Sequence, residues 1–313
     1  MKSIYILCAI LILAFLAACG LQDKATRPVA TSTSPLANTP SLTPSSTDQP
    51  TQTPTITSIP TLSEQDALET FVNLIEKDDE CELPCWLGIT PGRTRFKEVE
   101  NILSQFGAVA YTDFSLQRAF IKAFFPHFET AKHEVTIIVI PEQNGKISRI
   151  LITAVAYQDI NGPRNYNDPE FQRLWQRYFL PRIFTRYGVP EKIFLDTTRI
   201  VADTAGPYPF VLWVVYSQQG FLIRYQGVNS KIGENIQICP MQSSIEIKIW
   251  NPEESSYEEF IKDDGALARP FALGPQPIEE VTKFSIESFY EEFRSRDVDT
   301  CFDTPASIWP PNK

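Results

Sequence analysis

The chain has 313 residues and a formal net charge of −10, and 43% of its residues are hydrophobic. An excess of negative charge repels phosphate backbones and anionic lipid, which argues against a nucleic-acid partner and against electrostatic attachment to a membrane. The length and apolar content allow one large folded domain, or two small ones, with a buried core.

The first residues carry the pattern of an export signal. Met1-Lys2 precedes an apolar run, Ile4 to Ala18, that is shorter than the roughly 20 residues of a membrane-spanning helix. The run ends in Leu16-Ala17-Ala18-Cys19, which resembles the lipobox of bacterial lipoproteins. This resemblance implies a signal peptide over 1–18 and a diacylglycerol on the Cys19 thiol. The alternative is an ordinary signal peptide in which the cysteine falls by chance.

The lipobox resemblance also implies an address. We expect an extracytoplasmic protein on the outer face of the cell membrane or, in a two-membrane cell, on the outer membrane. Apart from the covalent lipid, no cofactor and no metal are expected.

Residues 19–62 are interpreted as a tether. Most of the residues between Thr26 and Leu62 are Ser, Thr or Pro, and such a segment buries too little apolar surface to fold. A flexible coil of this length averages about 35 Å from end to end, and a stiff extended chain approaches about 130 Å. The tether would hold the folded part away from the membrane.

The first predicted folded unit spans 63–160. Ser63 is a helix cap with Asp66 three residues later, and Thr94 is the predicted cap of a second helix that ends at Gly107 in a left-handed conformation. Two buried strands follow, 135–140 and 147–157, joined by a turn.

The second predicted unit spans 161–313 and repeats this plan. Asp168 and Pro169 begin a helix that Pro181 should kink or break and that Gly188 ends. The predicted strands are 192–196, 209–217, 221–227 and 244–250, and 278–294 is a predicted helix. The chain is therefore expected to be α+β, with two tandem units of helix and antiparallel meander, either separate or packed as one domain. The similar helix ends at 102–107 and 183–188 favour a repeat, with chance similarity as the alternative.

The segment 88–94, Gly-Ile-Thr-Pro-Gly-Arg-Thr, followed by a helix with Val99 and Leu103, resembles the opening of domains in the BamE and β-lactamase-inhibitor-protein fold group. The second unit shares Tyr187-Gly188-Val189-Pro190 with the helix exit of that group, and the first unit lacks the proline. The resemblance covers about 20 residues per unit and implies a protein-binding or scaffold module. The lipobox, the tether and the Cys81-x-x-x-Cys85-Trp86 motif together resemble uncharacterised envelope lipoproteins.

Four cysteines remain after Cys8 leaves with the signal and Cys19 takes lipid: Cys81, Cys85, Cys239 and Cys301. An even number in an oxidising compartment predicts two disulfides, for which three pairings exist. Local closure favours Cys81–Cys85, which leaves Cys239–Cys301. A redox role for the first pair is less favoured, because its spacing differs from that of thioredoxin-like motifs.

Other candidate chemistry is weak in the sequence. The two histidines, His127 and His133, have no partners at zinc-ligand spacing and are predicted at the surface or at a strand edge. The run Asp78-Asp79-Glu80 lacks the ligand pattern of a calcium loop. The nucleophile motifs G-x-S-x-G and S-x-x-K are absent from the sequence.

Two charged clusters remain as candidates. Glu253, Glu254, Glu258 and Glu259 lie near two aromatic residues and are interpreted as the acidic start of a helix, although paired carboxylates of a glycan hydrolase are the alternative. The other cluster is a series of arginines, at 173, 177, 182 and 186, that could face an anionic polymer or partner or be a solvated face.

These patterns favour a non-enzymatic binding or scaffold module of the cell envelope, attached to a membrane through lipid, with an envelope protein or polymer as its partner. The alternatives are a carboxylate-dependent hydrolase of wall or extracellular glycan and a small-ligand receptor. Facing carboxyls about 5–10 Å apart would favour the hydrolase. A closed apolar cleft would favour the receptor.

Overall fold

The structure is a computed structural model that describes residues 61–77, 81–107, 110–113, 119–125, 132–158, 163–197, 208–263, 274–295 and 300–309. The signal peptide, Cys19, nearly all of the tether, the acidic run 78–80 and His127 lie outside the described residues. All described residues belong to one compact unit, Ile56–Lys313. In these described ranges, no helix combines the length and the apolar content that crossing a bilayer requires.

The fold is α+β, as the sequence predicts. The described helices are α1 (Glu64–Lys77), α2 (Phe96–Ser104), α3 (Pro169–Leu174), α4 (Leu180–Tyr187), α5 (Tyr257–Asp263), α6 (Ile278–Val281) and α7 (Ile286–Arg294). The strands are β1 (Ala110–Asp113), β2 (Ala119–Phe125), β3 (Lys132–Pro141), β4 (Ile147–Tyr157), β5 (Lys192–Thr197), β6 (Tyr208–Tyr216), β7 (Phe221–Ile232), β8 (Asn235–Ile238), β9 (Ser243–Trp250), β10 (Gln276–Pro277) and β11 (Phe302–Pro305). Short 3₁₀ turns occupy Gln176–Tyr178 and Ala306–Ile308.

The strands of both predicted units join in one antiparallel sheet of order β1-β2-β3-β4-β9-β7-β6-β5-β10, and β8 pairs with β7 and β11 beside it. Strands β1 to β4 follow one another in the first half, and β9, β7, β6 and β5 form the second half. The halves meet where β4 pairs with β9, in a register that runs from Arg149↔Trp250 to Ala154↔Ile245. The last strand of each meander therefore lies at the centre of the sheet.

Strand periodicity divides the sheet into two faces. Ile245, Ile247 and Ile249 of β9 alternate with polar residues, so they point to one side of the sheet. They belong to the main core together with helix residues such as Phe71 and Ile183. We call this side the helix-covered face and the opposite side the second face. On the second face, Tyr257 and Phe260 of α5 pack in a smaller cluster, with Val215, Leu222 and Trp250.

The predicted start of α1 is confirmed, and that of α2 is wrong by one position. Ser63 Oγ donates to Asp66 Oδ2 at 2.6 Å and accepts the Asp66 N–H at 3.2 Å. Thr94 does not cap α2, because its hydroxyl accepts the Thr90 N–H at 2.9 Å within the preceding turn. Arg95 is the N-cap residue instead, and its N–H donates to the Glu98 carboxylate at 2.9 Å.

The two helix ends that look alike in sequence differ in structure. Gly188 follows α4 with φ of 79°, a left-handed conformation that glycine adopts readily. Gly107 is not among the glycines with positive φ, so the predicted left-handed cap of the first unit is wrong. The chain leaves α2 through a turn in which the Gly107 N–H donates to the Ser104 carbonyl at 3.2 Å.

The predicted break near Pro181 is confirmed, and it comes two residues earlier. Asp168 caps α3 by accepting the Phe171 N–H at 2.7 Å. Phe179 is extended, with φ of −80° and ψ of 158°, between the 3₁₀ turn and α4. Pro181 then lies in the first turn of α4, where its missing N–H costs no helical hydrogen bond.

Some elements were not predicted from the sequence. Strands β1, β8, β10 and β11 are at most four residues long, which leaves little periodicity to recognise, and β2 is the seven-residue segment Ala119–Phe125. The predicted helix 278–294 is two helices, because Thr282 is extended and Ser285 caps a new helix by accepting the Ser288 N–H at 3.1 Å.

Both predicted disulfides are present. Cys81 pairs with Cys85, and Cys239 pairs with Cys301. The second bond joins the residue after β8 to the residue before β11, next to the strand pair Phe302↔Ile238. It therefore secures the C-terminal tail to the sheet.

Loop length predicts unequal contributions of the two disulfides to stability. Replacing Cys239 and Cys301 with serine should lower the free energy of unfolding by about 4 kcal/mol, because the bond closes a long loop, whereas Cys81→Ser with Cys85→Ser should cost about 2 kcal/mol. Urea unfolding of the mature chain measures both. Equal losses would show that loop entropy is not the dominant contribution.

Candidate functional site

The four arginines predicted to share a helical face line one cavity, which we call the arginine pocket. Arg173 comes from α3, Arg177 from the 3₁₀ turn, and Arg182 and Arg186 from α4. With Glu76 of α1 they surround a volume of about 620 Å³, which Leu174, Gln176 and Thr185 complete. The sequence pattern therefore indicates the four arginines, but neither the cavity nor Glu76, whose carboxylate pairs with Arg173.

The apolar side chains of α3, the turn and α4 explain why the arginines face outward. Eight residues of this segment are buried: Phe171, Leu174, Trp175, Tyr178, Phe179, Leu180, Ile183 and Phe184. Arg173, Arg182 and Arg186 lie on the opposite, exposed side. Burial of the apolar side against the sheet thus fixes the backbone from which the guanidinium groups project.

Two carboxylates hold Arg173 at the wall of the pocket. Glu170 Oε1 accepts hydrogen bonds from Nε at 3.1 Å and from Nη2 at 2.6 Å. The third contact joins Nη1 to Glu76 Oε1, which links α3 to α1. Because three of its donors are engaged, the guanidinium of Arg173 is restricted to a narrow range of positions.

Arg186 is held in a similar way by the loop of the first disulfide. Its Nη2 forms an ion pair with Glu82, which follows Cys81. This hydrogen bond lowers the pKa of the Glu82 carboxyl, and the charge of Arg177 contributes in the same direction. Arg177 is half-buried, with its guanidinium carbon 5.3 Å from the centre of the Tyr178 ring.

The arginine pocket can bind anions but is not suited to proton transfer. Its lining carries four guanidinium groups and one carboxylate, in a chain whose net charge is −10. Guanidinium groups stay charged at all physiological pH values and present several N–H donors. The single carboxylate, Glu76, is paired with Arg173. This combination favours recognition of an anionic group.

A second group of charges, which the sequence analysis missed, lies on the second face of the sheet. Arg224 of β7 is in register with Glu246 of β9 and with Trp213 of β6. Its Nη1 donates to Glu246 Oε1 at 2.7 Å, and its guanidinium carbon is 4.5 Å from the centre of the Trp213 ring. Lys248 Nζ is 3.1 Å from the same carboxylate oxygen. We call these four residues the charge row.

The charge row is a structural feature of the central strands. Lys248 is 1% exposed and Arg224 is 8% exposed, so both cations depend on Glu246 for compensation. Burial of Glu246 opposes its ionisation, but the charges of Arg224 and Lys248 together lower its pKa. A one-residue slip of β9 against β7 would separate these partners and turn Glu246 to the other face. The alternation of apolar and polar residues in 243–250 indicates which side chains share a face of the sheet, but it does not identify Arg224 as the partner of Glu246.

Asp196 of β5 points to the same face without such compensation. It is 4% exposed, and its Oδ2 has no hydrogen-bond partner. Burial raises the pKa of Asp196 to about 6, although the charge of Arg224 acts in the opposite direction. The folded protein therefore binds a proton on Asp196 at pH values where the unfolded chain does not.

The prediction that His133 lies at the surface or at a strand edge is wrong. His133 is fully buried in β3, which pairs with β2 and β4. Its Nε2 is 3.0 Å from Asp168 Oδ1, the oxygen that also caps α3. Burial lowers the pKa of His133, and the hydrogen bond to Asp168 acts in the opposite direction. Because a carboxylate oxygen accepts, Nε2 is the donor, and this contact ties α3 to the sheet. The partner lies in a distant segment, which sequence spacing does not reveal.

The acidic cluster is a helix start, as interpreted. Ser256 and Glu259 form reciprocal capping hydrogen bonds at the start of α5. The Ser256 N–H donates to Glu259 Oε2 at 3.0 Å, and the Glu259 N–H donates to Ser256 Oγ at 3.2 Å. Glu258 pairs with Lys192 at 2.9 Å. Glu254 lies near Glu142 of the β3–β4 hairpin. Partial burial and this second carboxyl raise the pKa of Glu142.

Metal and small-molecule sites have little support in the described ranges. Within them, no group of three or more His, Cys, Asp and Glu side chains could hold a metal ion. Another cavity, of about 610 Å³, lies beside β8 and β11, and its lining includes Glu280, Lys283 and Asp303. Because both cavities are lined by charged residues, neither is the closed apolar cleft that would favour a small-ligand receptor.

Comparison with known proteins gives no further guide to the activity. No protein-family model, no curated protein and no solved structure matches the chain.

The raised pKa of Asp196 predicts a specific dependence of stability on pH. The pKa of Asp196 is about 6 in the folded protein and has an ordinary value of 3.8 in the unfolded chain. The protonated carboxyl therefore contributes to the free energy of unfolding fully below about pH 4, and this contribution is lost as the pH rises through 6. The loss should reach about 3 kcal/mol. Asp196→Asn should therefore stabilise the protein at pH 7.5 and change little at pH 4, as measured by urea unfolding at both pH values.

Asp303→Asn, which removes an exposed carboxylate of β11, is the matched control for net charge. It should leave stability nearly unchanged at both pH values. Destabilisation by Asp196→Asn at pH 7.5 would mean that attraction to Arg224 outweighs the cost of burying the carboxylate.

Proposed function

We propose that this chain is a lipid-anchored, extracytoplasmic protein whose folded part binds a component of the cell envelope without catalysing a reaction. The lipobox that ends at Cys19 supports the lipid anchor, and residues 20–62 have the composition of a flexible tether. The disulfides Cys81–Cys85 and Cys239–Cys301 are compatible with an oxidising location outside the cytoplasm.

The observation that carries the binding function is the arginine pocket. It is a concave site of about 620 Å³, within the size range of ligand pockets. Its four arginines supply cationic N–H donors, and Glu76 is paired with Arg173. The pocket thus offers oriented hydrogen-bond donors and positive charge, which are properties of a binding site.

The main alternative is a glycan hydrolase with two carboxylates. Among the described residues, Glu142 and Glu254 are neighbouring carboxyls, close enough that Glu254 contributes to the raised pKa of Glu142. Glycoside hydrolases separate the two groups by about 5–10 Å to accommodate the sugar and water. The pair also lies at an exposed hairpin and turn. These features favour binding over hydrolysis.

The weak resemblance to BamE-like and β-lactamase-inhibitor-protein-like domains is consistent with this proposal, since such domains serve as binding or scaffold modules. Under the proposal, the membrane is a partner only through the lipid, and the excess of negative charge disfavours nucleic acid.

Lipid attachment predicts a clear result for one variant. Wild-type chain expressed with isotope-labelled palmitate should carry the label and sediment with membranes, whereas Cys19→Ala should lose both properties. Cys8→Ala, which removes a cysteine within the signal, should behave as the wild type. Labelling that persists in Cys19→Ala would contradict attachment at this residue.

Cross-linking in cells tests the binding function. The tagged full chain should capture a reproducible envelope component, identified by mass spectrometry and by carbohydrate and phosphate analysis. A tagged chain that ends at residue 62 should not capture it, because it retains the anchor and tether alone. Equal capture by both chains, or none by either, would argue against a binding role for the folded part.

A further inference from the structure

We infer that the arginine pocket binds phosphate groups of an anionic polymer in the cell envelope, an inference that rests on the proposed binding function and specifies its ligand. The chain carries a net charge of −10, yet four of its 28 basic residues line this one cavity, and they outnumber the three carboxylates that pair with them, Glu76, Glu170 and Glu82. Concentrated positive charge within an acidic protein attracts anions locally, and a concave site focuses the field.

Carboxylates hold two of the arginines of the pocket in position, and a third, Arg182, is not held by a described carboxylate. Arg173 is held by Glu170 and Glu76, and Arg186 is held by Glu82. Preorganised donors reduce the conformational entropy lost on binding. The guanidinium of Arg182 has no hydrogen bond or ion pair with the described residues, and it lies in the first turn of α4. Arg177, half-buried beside Tyr178, completes the set.

The positions of the arginines along the chain favour phosphate over carboxylate as the ligand. A single guanidinium fork satisfies a planar carboxylate with two parallel hydrogen bonds. A phosphate group presents oxygens in several directions and is best bound by donors from several positions. The arginines come from α3, the 3₁₀ turn and α4, and not from one turn of a helix. This arrangement can surround a tetrahedral oxyanion.

The size of the pocket and the charge of the chain favour a polymer over a membrane surface. A volume of about 620 Å³ admits one or a few small repeating units, not a flat surface. The net charge of −10 disfavours close approach of the whole domain to an anionic bilayer. A flexible polymer can place one phosphate in the pocket while its other charged repeats extend into solvent, away from the acidic remainder.

The test is direct binding to the mature full chain held in phosphatidylcholine nanodiscs, measured by isothermal titration calorimetry. The probe is a glycerol phosphate oligomer of defined length. Polygalacturonate serves as the carboxylate polymer, and vesicles of phosphatidylglycerol in phosphatidylcholine serve as the lipid source of phosphate. Wild-type chain should bind the glycerol phosphate oligomer more tightly than the other two, and its affinity should fall as salt rises.

The decisive variant is Arg177→Gln with Arg182→Gln, which should weaken binding of the oligomer by at least about tenfold. Arg182→Gln alone, at an exposed position, should lose part of this affinity even if the double variant folds poorly. The matched control is Arg93→Gln with Lys97→Gln, which removes the same charge from exposed positions outside the pocket and should bind as the wild type.

The outcomes separate this inference from the proposed function. Equal loss in the control variant, unchanged binding in the pocket variants, or preference for polygalacturonate or vesicles would overturn phosphate binding at this pocket. If cross-linking in cells still captures an envelope component with the double variant, the binding function stands and the ligand assignment fails. Absence of capture by the wild type would instead remove the proposed function itself.

Discussion

The pairing of β4 with β9 is the contact on which the architecture depends. Each of these strands ends its own meander, and their register makes one sheet from strands of both halves of the chain. The shared sheet gives the helices a continuous apolar face, because the inward residues of both halves join one core. The segment that carries the arginines packs on this face, so the arginine pocket depends indirectly on the central strand pair.

The protein accommodates arginines in two ways. Arg224 is nearly buried and is compensated by Glu246 and the ring of Trp213, so its charge is used within the sheet. The arginines of the pocket are arranged around a cavity, and Glu76, Glu170 and Glu82 hold two of them, Arg173 and Arg186. The first arrangement supports strand register, whereas the second leaves positive charge accessible to a ligand.

The sequence predicted what depends on local chemistry. The caps at Ser63 and Asp168, the break near Pro181 and the main hairpin follow from side chains close to the backbone groups that they satisfy. It also predicted both disulfides, because short loop closure left one pairing for the other cysteines. The prediction of Thr94 as a cap is wrong because its hydroxyl accepts a hydrogen bond from the Thr90 N–H in the preceding turn.

Contacts between distant segments could not be read in the same way. His133 meets Asp168 only because β3 and the start of α3 come together in the folded chain. The strand periodicity indicates which face Glu246 and Arg224 lie on. Their pairing cannot be predicted without knowing that β7 and β9 are neighbours in the sheet. The pocket is an intermediate case: the arginine spacing predicts a shared face, whereas Glu76 and the cavity itself depend on how α1 packs.

The segment from α3 to α4 has a buried apolar side and an exposed polar side. Its inward side chains are large and apolar and stabilise the fold, whereas Arg173, Gln176, Arg182 and Thr185 are exposed. Exposed positions tolerate substitution at little cost in folding free energy. Related chains could therefore acquire different ligand preferences by exchanging these few surface residues, and selection could adjust recognition with little effect on the scaffold beneath it.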